Sequence, residues 1–313
     1  MTEINEILKK YNIKPRTYKK IKNVILVETD TKKYTIKKKN KDNQYIYDYL
    51  KTRNFNYMPN IINTPQEKYE ITEYIIEYEI PKEQRMLDLI DLVSLLHNKT
   101  THYKETIEKE YDEIYEDLKN NIEHLYGYYN DIITIIETKI YMSPCEYLLA
   151  RNISIIFSTL NFLEERINKW YKQIKENTKQ RYVVLHNNLE LDHFIDNEKK
   201  YLISWEKSKI GIPIFDIYKL YLKHALEFDF SEILKRYEKN YPLYETERNL
   251  LFILILMPQK IEFSDNEYEN TKQVREKLDY IFKTRKLVSP YYTNERPENN
   301  THKQENKENI KST

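Results

Sequence analysis

The sequence predicts an α+β protein with a small β-rich lobe over residues 1–80 and a larger, mainly helical lobe over residues 81–290. Two observations carry this prediction. Short apolar and β-branched segments, bounded by turn residues, precede Pro81 and are typical of strands. Apolar residues at helical spacing follow it and are typical of amphipathic helices. A chain of 313 residues is long enough for two such lobes.

Strand patterns dominate the first lobe, and one helix interrupts them. Two apolar, β-branched runs flank a polar turn, which predicts a hairpin. A helix with an apolar stripe follows, and Pro59 then breaks the chain before two further strands. The expected segments are strands at 24–27 and 34–36 around the turn 29–32, a helix at 42–52, and strands at 61–62 and 69–78.

Helical spacing dominates the second lobe. A helix is expected to end near His97, where a cationic or hydrogen-bonding side chain is common. Residues 103–140 carry long amphipathic helical patterns. Short strands around a polar loop are expected at 181–203, and helices again at 214–286.

One helix start is marked by its own capping residues. Ser143 is followed by Pro144 and, three residues on, by Glu146, which is the pattern of a capped helix with proline in its first turn. We expect this helix to run towards Lys175. The most apolar run of the chain, at 250–257, is too short to span a membrane and predicts a buried helix.

Composition excludes several classes of protein. The chain has 2 glycines, Gly127 and Gly211, far apart in the sequence, so it contains neither a Walker-type loop nor a dinucleotide-binding fingerprint. Its 1 cysteine, Cys145, excludes an internal disulfide. Lys+Arg 51 against Asp+Glu 50 leaves a net charge of +1, which argues against a nucleic-acid partner.

The two ends of the chain give further expectations. No charged segment followed by an apolar stretch opens the sequence, so we expect no membrane association and a cytoplasmic location. Residues 291–313 contain almost no apolar side chains and therefore predict a disordered tail.

A local segment carries the strongest functional signal. An apolar strand leads into His186, Asn187 and Asn188, and a second apolar strand leads into Ser204, Trp205 and Glu206. Gly211, Pro213 and Asp216 follow at fixed spacing.

The order and spacing of these residues resemble the aminoglycoside phosphotransferase and choline kinase superfamily, in the branch of spore-coat kinase-like proteins. The resemblance covers residues 10–285 and implies the two-lobed protein-kinase-like fold. It also suggests an association with the spore coat.

Carried over position by position, the resemblance places neutral side chains at the reactive positions. The family's catalytic Asp corresponds to Asn188, its metal-binding Asn to His193, and its metal-binding Asp to Ser204. Six other positions match the family pattern, and among them the resemblance makes His186, Glu206 and Asp216 scaffold residues. The six positions are His186, Trp205, Glu206, Gly211, Pro213 and Asp216.

In the small lobe, the resemblance implies a lysine that contacts phosphate. Lys37 takes that position on the strand 34–37, although the neighbouring Lys38 leaves the register open. Gln44, in the following helix, takes the place of the glutamate that would pair with the lysine. The strands over the nucleotide, about 18–27, contain no glycine.

These substitutions predict a pseudokinase, which keeps the fold and has lost the transfer reaction. Phosphoryl transfer depends on Mg²⁺ and positioning, and Mg²⁺ prefers oxygen ligands that include a carboxylate. An amide cannot replace the carboxylate base either. We therefore expect a binding or scaffold protein with an unidentified protein partner or small-molecule ligand, no certain cofactor, and ATP bound, if at all, without Mg²⁺.

Two alternatives stay open on the sequence alone. Glu190, Asp192 or Glu206 could take over the lost roles in a divergent small-molecule phosphotransferase that uses ATP. A structural or interaction protein without nucleotide binding is the other alternative, and Lys37 only weakly argues against it.

Overall fold

Antiparallel pairing of the β-branched runs builds the small lobe in the computed structural model, which describes residues 2–21, 24–39, 43–62 and 68–292. The elements of this lobe are α1 (Thr2–Lys10), β1 (Thr17–Ile21), β2 (Val24–Glu28), β3 (Lys33–Lys38), α2 (Gln44–Thr52) and β4 (Tyr69–Glu73). The four strands pair in sequence order, and every pairing is antiparallel. Leu8 and Ile13 pack with Val27, Ile36 and Ile71 to form the small core of this sheet.

The large lobe is mainly helical, as expected. Its helices are α3 (Lys82–Thr100), α4 (Glu108–Glu137), α5 (Pro144–Glu176), α6 (Ile214–His224), α7 (Phe230–Asn240), α8 (Glu245–Leu256) and α9 (Glu267–Tyr292). Its strands are β5 (His102–Glu105), β6 (Lys179–Leu185), β7 (Phe194–Ile195), β8 (Tyr201–Leu202) and β9 (Lys209–Gly211). The predicted α+β fold, with a small antiparallel sheet and a larger helical lobe, is thus confirmed.

Two details of the helical prediction are also confirmed. Helix α5 begins with the capping box expected from Ser143, Pro144 and Glu146, and both reciprocal hydrogen bonds are present. The apolar run at 250–257 is mostly helix α8, whose apolar side chains are buried in the large core. Across the described segments, no helix combines the length and apolar character needed to cross a membrane.

Two predicted strands of the small lobe differ in extent from the structure, and one helix was not predicted. Strand β4 ends at Glu73 rather than at residue 78, because the chain leaves the sheet and the Tyr78 N–H donates to Asp196 O of the large lobe at 2.8 Å. Only an isolated bridge, Ile61 to Thr72, forms in place of the strand at 61–62. Helix α1 lies outside every predicted element, and burial of Leu8 against the sheet explains it.

Two predictions in the large lobe also need correction. Residues 103–105, expected to be helical, belong to strand β5, which pairs with β6. Helix α9 continues to Tyr292, so the first two residues of the predicted tail 291–313 are helical, and the rest of that tail lies outside the described residues. The Tyr292 ring packs on Phe162 and Phe252, which explains the longer helix.

Helix α2 connects the two lobes. Its Ile46 and Leu50, together with the following Phe55, belong to the core of the large lobe and not to that of the small sheet. The Asn43 amide, just before the helix, donates to Trp205 O at 2.8 Å. The helix is therefore fixed to the segment that follows Ser204.

Gly211 lies where two strands approach closely. Strand β9 pairs with β6, and a Cβ at Gly211 would lie 2.6 Å from Leu185 Cδ1. The Leu185 side chain is completely buried, so an added methyl would press on a packed core residue. Gly127 provides a contrast, because a Cβ there, on exposed helix α4, would meet nothing within 4 Å.

We expect Gly211→Ala to destabilise the protein by about 1–3 kcal/mol, since the added methyl overpacks the buried contact with Leu185. Gly127→Ala is the matched control and should stabilise by about 0.5–1 kcal/mol, because alanine loses less backbone entropy in a helix. Urea unfolding of both variants measures the difference. Equal stability of Gly211→Ala and the unchanged protein would contradict the prediction.

Candidate functional site

The loop after strand β6 is held by one buried carboxylate. Asp216, in the first turn of α6, accepts hydrogen bonds from the backbone N–H groups of His186 at 2.8 Å and Asn187 at 2.7 Å. His97 Nε2 on α3 lies 3.3 Å from the same carboxylate. Asp216 and His97 are both almost inaccessible to solvent. One side chain thus connects the loop to two helices of the large lobe.

His97 is a residue whose role the sequence did not indicate. Its position suggested an ordinary cationic or hydrogen-bonding residue at a helix end, and the structure buries it completely inside α3, which continues to Thr100. Its Nδ1 lies 2.7 Å from the hydroxyl of Tyr237 on α7. The partners of His97 come from distant parts of the chain, and no local pattern reports them.

His186 is buried beneath the loop and is neutral. Its Nε2 lies 2.8 Å from Ile203 O, so this nitrogen carries the proton and donates it to the carbonyl. Its Nδ1 is buried without a hydrogen-bond partner. Burial lowers the pKa of His186 to about 4, because a second proton would leave a buried charge with no acceptor. The ring also packs edge-on against Trp205.

The three positions that the resemblance marks as reactive lie together. His193 Nδ1 lies 2.7 Å from Asn188 O, and the Asn188 amide donates to Ser204 O at 3.5 Å. The Ile203 N–H donates to His193 O at 2.9 Å. These contacts join the loop to the chain segment after strand β8.

Two residues of this region have left-handed backbone conformations. Asn187 has φ 59° and Ser204 has φ 66°. Asparagine adopts this conformation comparatively often. Serine is not favoured in it, because the serine Cβ makes a left-handed backbone costly, whereas glycine has no Cβ. Such conformations cost about 1–3 kcal/mol each and persist where the surroundings impose them. The backbone of the loop is therefore held in shape by its contacts and not by the preference of Ser204.

The side chains at these positions do not fit a Mg²⁺ ion. Asn188, His193 and Ser204 supply an amide, an imidazole nitrogen and a hydroxyl, and none of them carries a negative charge. Among the residues that the structure describes, no group of three or more His, Cys, Asp or Glu side chains could hold a metal ion.

A cleft between the lobes brings Lys37 to the same region. Lys37 on β3 forms an ion pair with Glu206, and the two side chains are each about 30% exposed. Glu70 on β4 lies directly opposite Lys37 in the sheet, and the Tyr47 hydroxyl of α2 donates to Glu70 at 3.4 Å. Lys37, Tyr47 and Glu70 line a cleft of about 170 Å³ together with Ser204 and Glu206.

Two of the carboxylates that line the cleft, Glu70 and Glu206, differ in their electrostatics. Burial raises the pKa of Glu70, and the nearby Glu206 adds to this effect. Burial would also raise the pKa of Glu206, but the hydrogen bond and the charge of Lys37 outweigh it and lower that pKa. Glu206 is therefore the ionised partner of Lys37, and both side chains line the cleft.

The structure separates the lysine candidates from each other and from Gln44. Lys37 lines the cleft, whereas the neighbouring Lys38 is exposed. The Gln44 amide donates to Asp48 on its own helix at 2.9 Å. From the same helix, Tyr47 is the side chain that reaches the cleft. Strand alternation places Glu70 and Thr72 on one face, a signal from which Glu70 could have been found.

The alternative acids are placed differently from one another. Glu190 forms an ion pair with Lys223, and His224 Nε2 lies 3.5 Å from its carboxylate. Asp192 is exposed in a short 3₁₀ turn. Glu206 is paired with Lys37 as described.

Comparison with known proteins identifies the fold. Solved structures that match over nearly the whole chain are aminoglycoside phosphotransferases and choline kinases. An aminoglycoside phosphotransferase from Alicyclobacillus acidocaldarius matches with a TM-score of 0.63 at 10% identity, covering 90% of this chain and 94% of that one. The AMP-bound spectinomycin phosphotransferase APH(9)-Ia matches with a TM-score of 0.52 at 14% identity, covering 94% and 99%.

A choline kinase, LicA from Streptococcus pneumoniae, matches with a TM-score of 0.47 at 17% identity, covering 92% of this chain and 97% of that one. No family model matches the sequence, and no curated protein matches it. The chain therefore has the fold of aminoglycoside phosphotransferases, and a shared fold does not by itself establish a shared activity.

The buried His186 makes stability depend on pH. Its pKa is about 4 in the folded protein and 6.5 when unperturbed, so the unfolded state binds the extra proton first. Its contribution is complete above pH 6.5 and is lost as the pH falls towards 4. We expect about 2 kcal/mol of this contribution to disappear between pH 7 and pH 5.

His186→Gln is the control, because its amide can still donate to Ile203 O but does not titrate. Urea unfolding of both proteins at the two pH values isolates the effect from other titrating groups. If the difference in unfolding free energy between the two proteins were the same at both values, the assignment of a buried neutral histidine would be refuted.

Proposed function

We propose that this protein is a pseudokinase: it keeps the fold of a small-molecule kinase and acts by binding a protein partner or small ligand rather than by transferring phosphate. The observation that carries the proposal is the set of neutral side chains at three adjoining positions. Asn188, His193 and Ser204 contact one another through the backbone of the loop, and no carboxylate lies among them.

The chemical argument combines two losses. A carboxylate base accelerates such reactions by about 10²–10⁴. Mg²⁺ normally bridges and neutralises the transferring phosphate, and it requires hard oxygen ligands. Because both functions depend on the same small region, their joint absence removes the usual route to transfer.

The state of the cleft supports the same proposal. Sites for small molecules usually enclose about 300–1,000 Å³, whereas this cleft encloses about 170 Å³. Lys37, the residue expected to contact phosphate, is engaged by Glu206. A nucleotide would have to separate this pair and widen the cleft before binding.

A divergent ATP-dependent phosphotransferase is the second candidate, and the shared fold with aminoglycoside phosphotransferases favours it. Its difficulty lies in the acids that would replace the lost groups. Glu190 and Glu206 are each committed to ion pairs with lysine, and Asp192 is exposed to solvent. A cytoplasmic location and an association with the spore coat are further proposals that rest on the sequence resemblance.

The proposal predicts that restored acids create a metal-dependent nucleotide site. The variant Asn188→Asp, His193→Asn, Ser204→Asp returns the side chains that the superfamily resemblance implies at the three positions. We expect Mg²⁺-dependent stabilisation by ATP in this variant and none in the unchanged protein, measured by thermal unfolding. The control Asn120→Asp, Asn121→Asp adds the same two negative charges on the exposed surface of α4 and should show no such stabilisation.

A turnover assay tests whether the unchanged protein transfers phosphate. The unchanged protein is incubated with ATP, Mg²⁺ and a panel of aminoglycosides and amino alcohols, and ADP formation is measured. Turnover that vanished in Glu190→Gln or Asp192→Asn would overturn the pseudokinase proposal and support the second candidate.

Nucleotide binding without a metal is a separate prediction. If ATP binds through Lys37, ATP should raise the unfolding temperature without Mg²⁺, and Lys37→Ala should abolish the rise. A ligand at about 100 times its Kd stabilises by about 2.7 kcal/mol. Glu206→Gln should strengthen the effect because it frees Lys37, and Lys38→Ala should leave it unchanged because that side chain is outside the cleft.

The absence of any ATP effect, even in Glu206→Gln, would exclude nucleotide binding by this cleft. It would leave the third alternative, an interaction protein without a nucleotide.

A further inference from the structure

Three lysines lie on the elements that adjoin the loop at Asn187. Lys219 Nζ on α6 donates a hydrogen bond to Asn187 Oδ1, and the Asn187 amide donates to Lys207 O at 2.8 Å. Lys209 begins strand β9 beside them. We refer to Lys207, Lys209 and Lys219 as the lysine cluster.

The fold itself brings the lysine cluster together. The pairing of β6 with β9 places Lys209 opposite Leu185, two residues before Asn187. Lys219 follows Asp216 by three positions on α6 and therefore lies on the same face of that helix. The carboxylate of Asp216 holds the Asn187 backbone N–H at 2.7 Å. The cluster is thus attached to rigid elements and not to a mobile surface.

The positive charge of the cluster is not neutralised by nearby acids. In the segments that the structure describes, no carboxylate forms an ion pair with Lys207, Lys209 or Lys219. The buried Asp216 already accepts backbone hydrogen bonds, and Glu190 is engaged by Lys223 and His224.

The pKa of Lys219 is lowered, in part by this excess of positive charge. Its partial burial lowers its pKa, and the charge of Lys209 lowers it further, with smaller contributions from Lys207 and Lys223. Asp216 acts in the opposite direction but does not outweigh them. Like charges repel each other, and a bound anion would relieve the repulsion.

We propose that the lysine cluster binds the phosphate group of a small phosphorylated ligand. A phosphate monoester carries about two negative charges at neutral pH and offers three strong acceptor oxygens, enough for a lysine to approach from each side. A carboxylate offers one charge and two oxygens, and it matches three lysines less well. The proposal goes beyond the pseudokinase assignment, since it concerns a site outside the cleft and requires no phosphoryl transfer.

Inorganic phosphate is the probe for this site. Thermal unfolding is recorded in increasing phosphate, against sodium chloride at equal ionic strength, and line broadening of the ³¹P signal reports binding independently of stability. We expect phosphate to raise the unfolding temperature and broaden the signal. Lys219→Gln and Lys209→Gln should each weaken binding about tenfold, as expected for the loss of one charge-assisted hydrogen bond.

Two controls locate the effect. Lys239→Gln removes an exposed lysine of α7 outside the cluster and should leave phosphate binding unchanged. Lys37→Ala should also leave it unchanged, which separates this site from the cleft of the proposed pseudokinase. If Lys219→Gln failed to fold, Lys209→Gln, at an exposed position of β9, would still test the site.

Three results would overturn the proposal. These are equal effects of phosphate and chloride, equal binding by Lys239→Gln and both cluster variants, and loss of binding in Lys37→Ala alone. The last result would assign the phosphate to the cleft.

Discussion

The buried carboxylate of Asp216 is the interaction on which the rest of the site depends. It holds two successive backbone N–H groups of the loop after β6 and contacts His97 of α3. Removing a buried group of this kind would leave several donors unsatisfied at once, which is costly inside a protein. Asp216, itself on α6, therefore fixes the loop to helices α3 and α6, and the lysine cluster adjoins that loop. The shape of the loop thus depends on Asp216, which lies outside the positions Asn188, His193 and Ser204.

The residues that support the loop are buried, whereas the residues at its reactive positions are partly exposed. His186, Asp216 and Trp205 form the buried network below the loop, where any change would disturb packing or leave a polar atom unpaired. Asn188 and Ser204 lie above it, partly exposed, where a neutral residue costs little stability. The left-handed backbone at Ser204 persists because the network below imposes it.

Charge is distributed differently inside and outside the cleft. Within it, Lys37 and Glu206 neutralise each other, and Glu70 is held by burial towards its uncharged form. Outside the cleft, the lysine cluster has no acidic partner among the described residues. Because electrostatic attraction acts over several ångströms in a partly buried site, an anion approaching the loop would meet positive charge at the cluster rather than in the cleft. The loop after β6 therefore has a neutralised ion pair in the cleft on one side and, among the described residues, an unpaired positive charge on the other.

The sequence by itself determined the fold class, the capped start of α5 and the spacing of the residues from His186 to Asp216, since each depends on local periodicity or on a short motif. It did not determine that β4 would end at Glu73, that Lys37 rather than Lys38 would line the cleft, or that His97 would contact Asp216. Those outcomes depend on contacts between residues far apart in the chain. Hydrogen bonds and ion pairs of this kind form only when the two lobes pack together, and no local pattern encodes them.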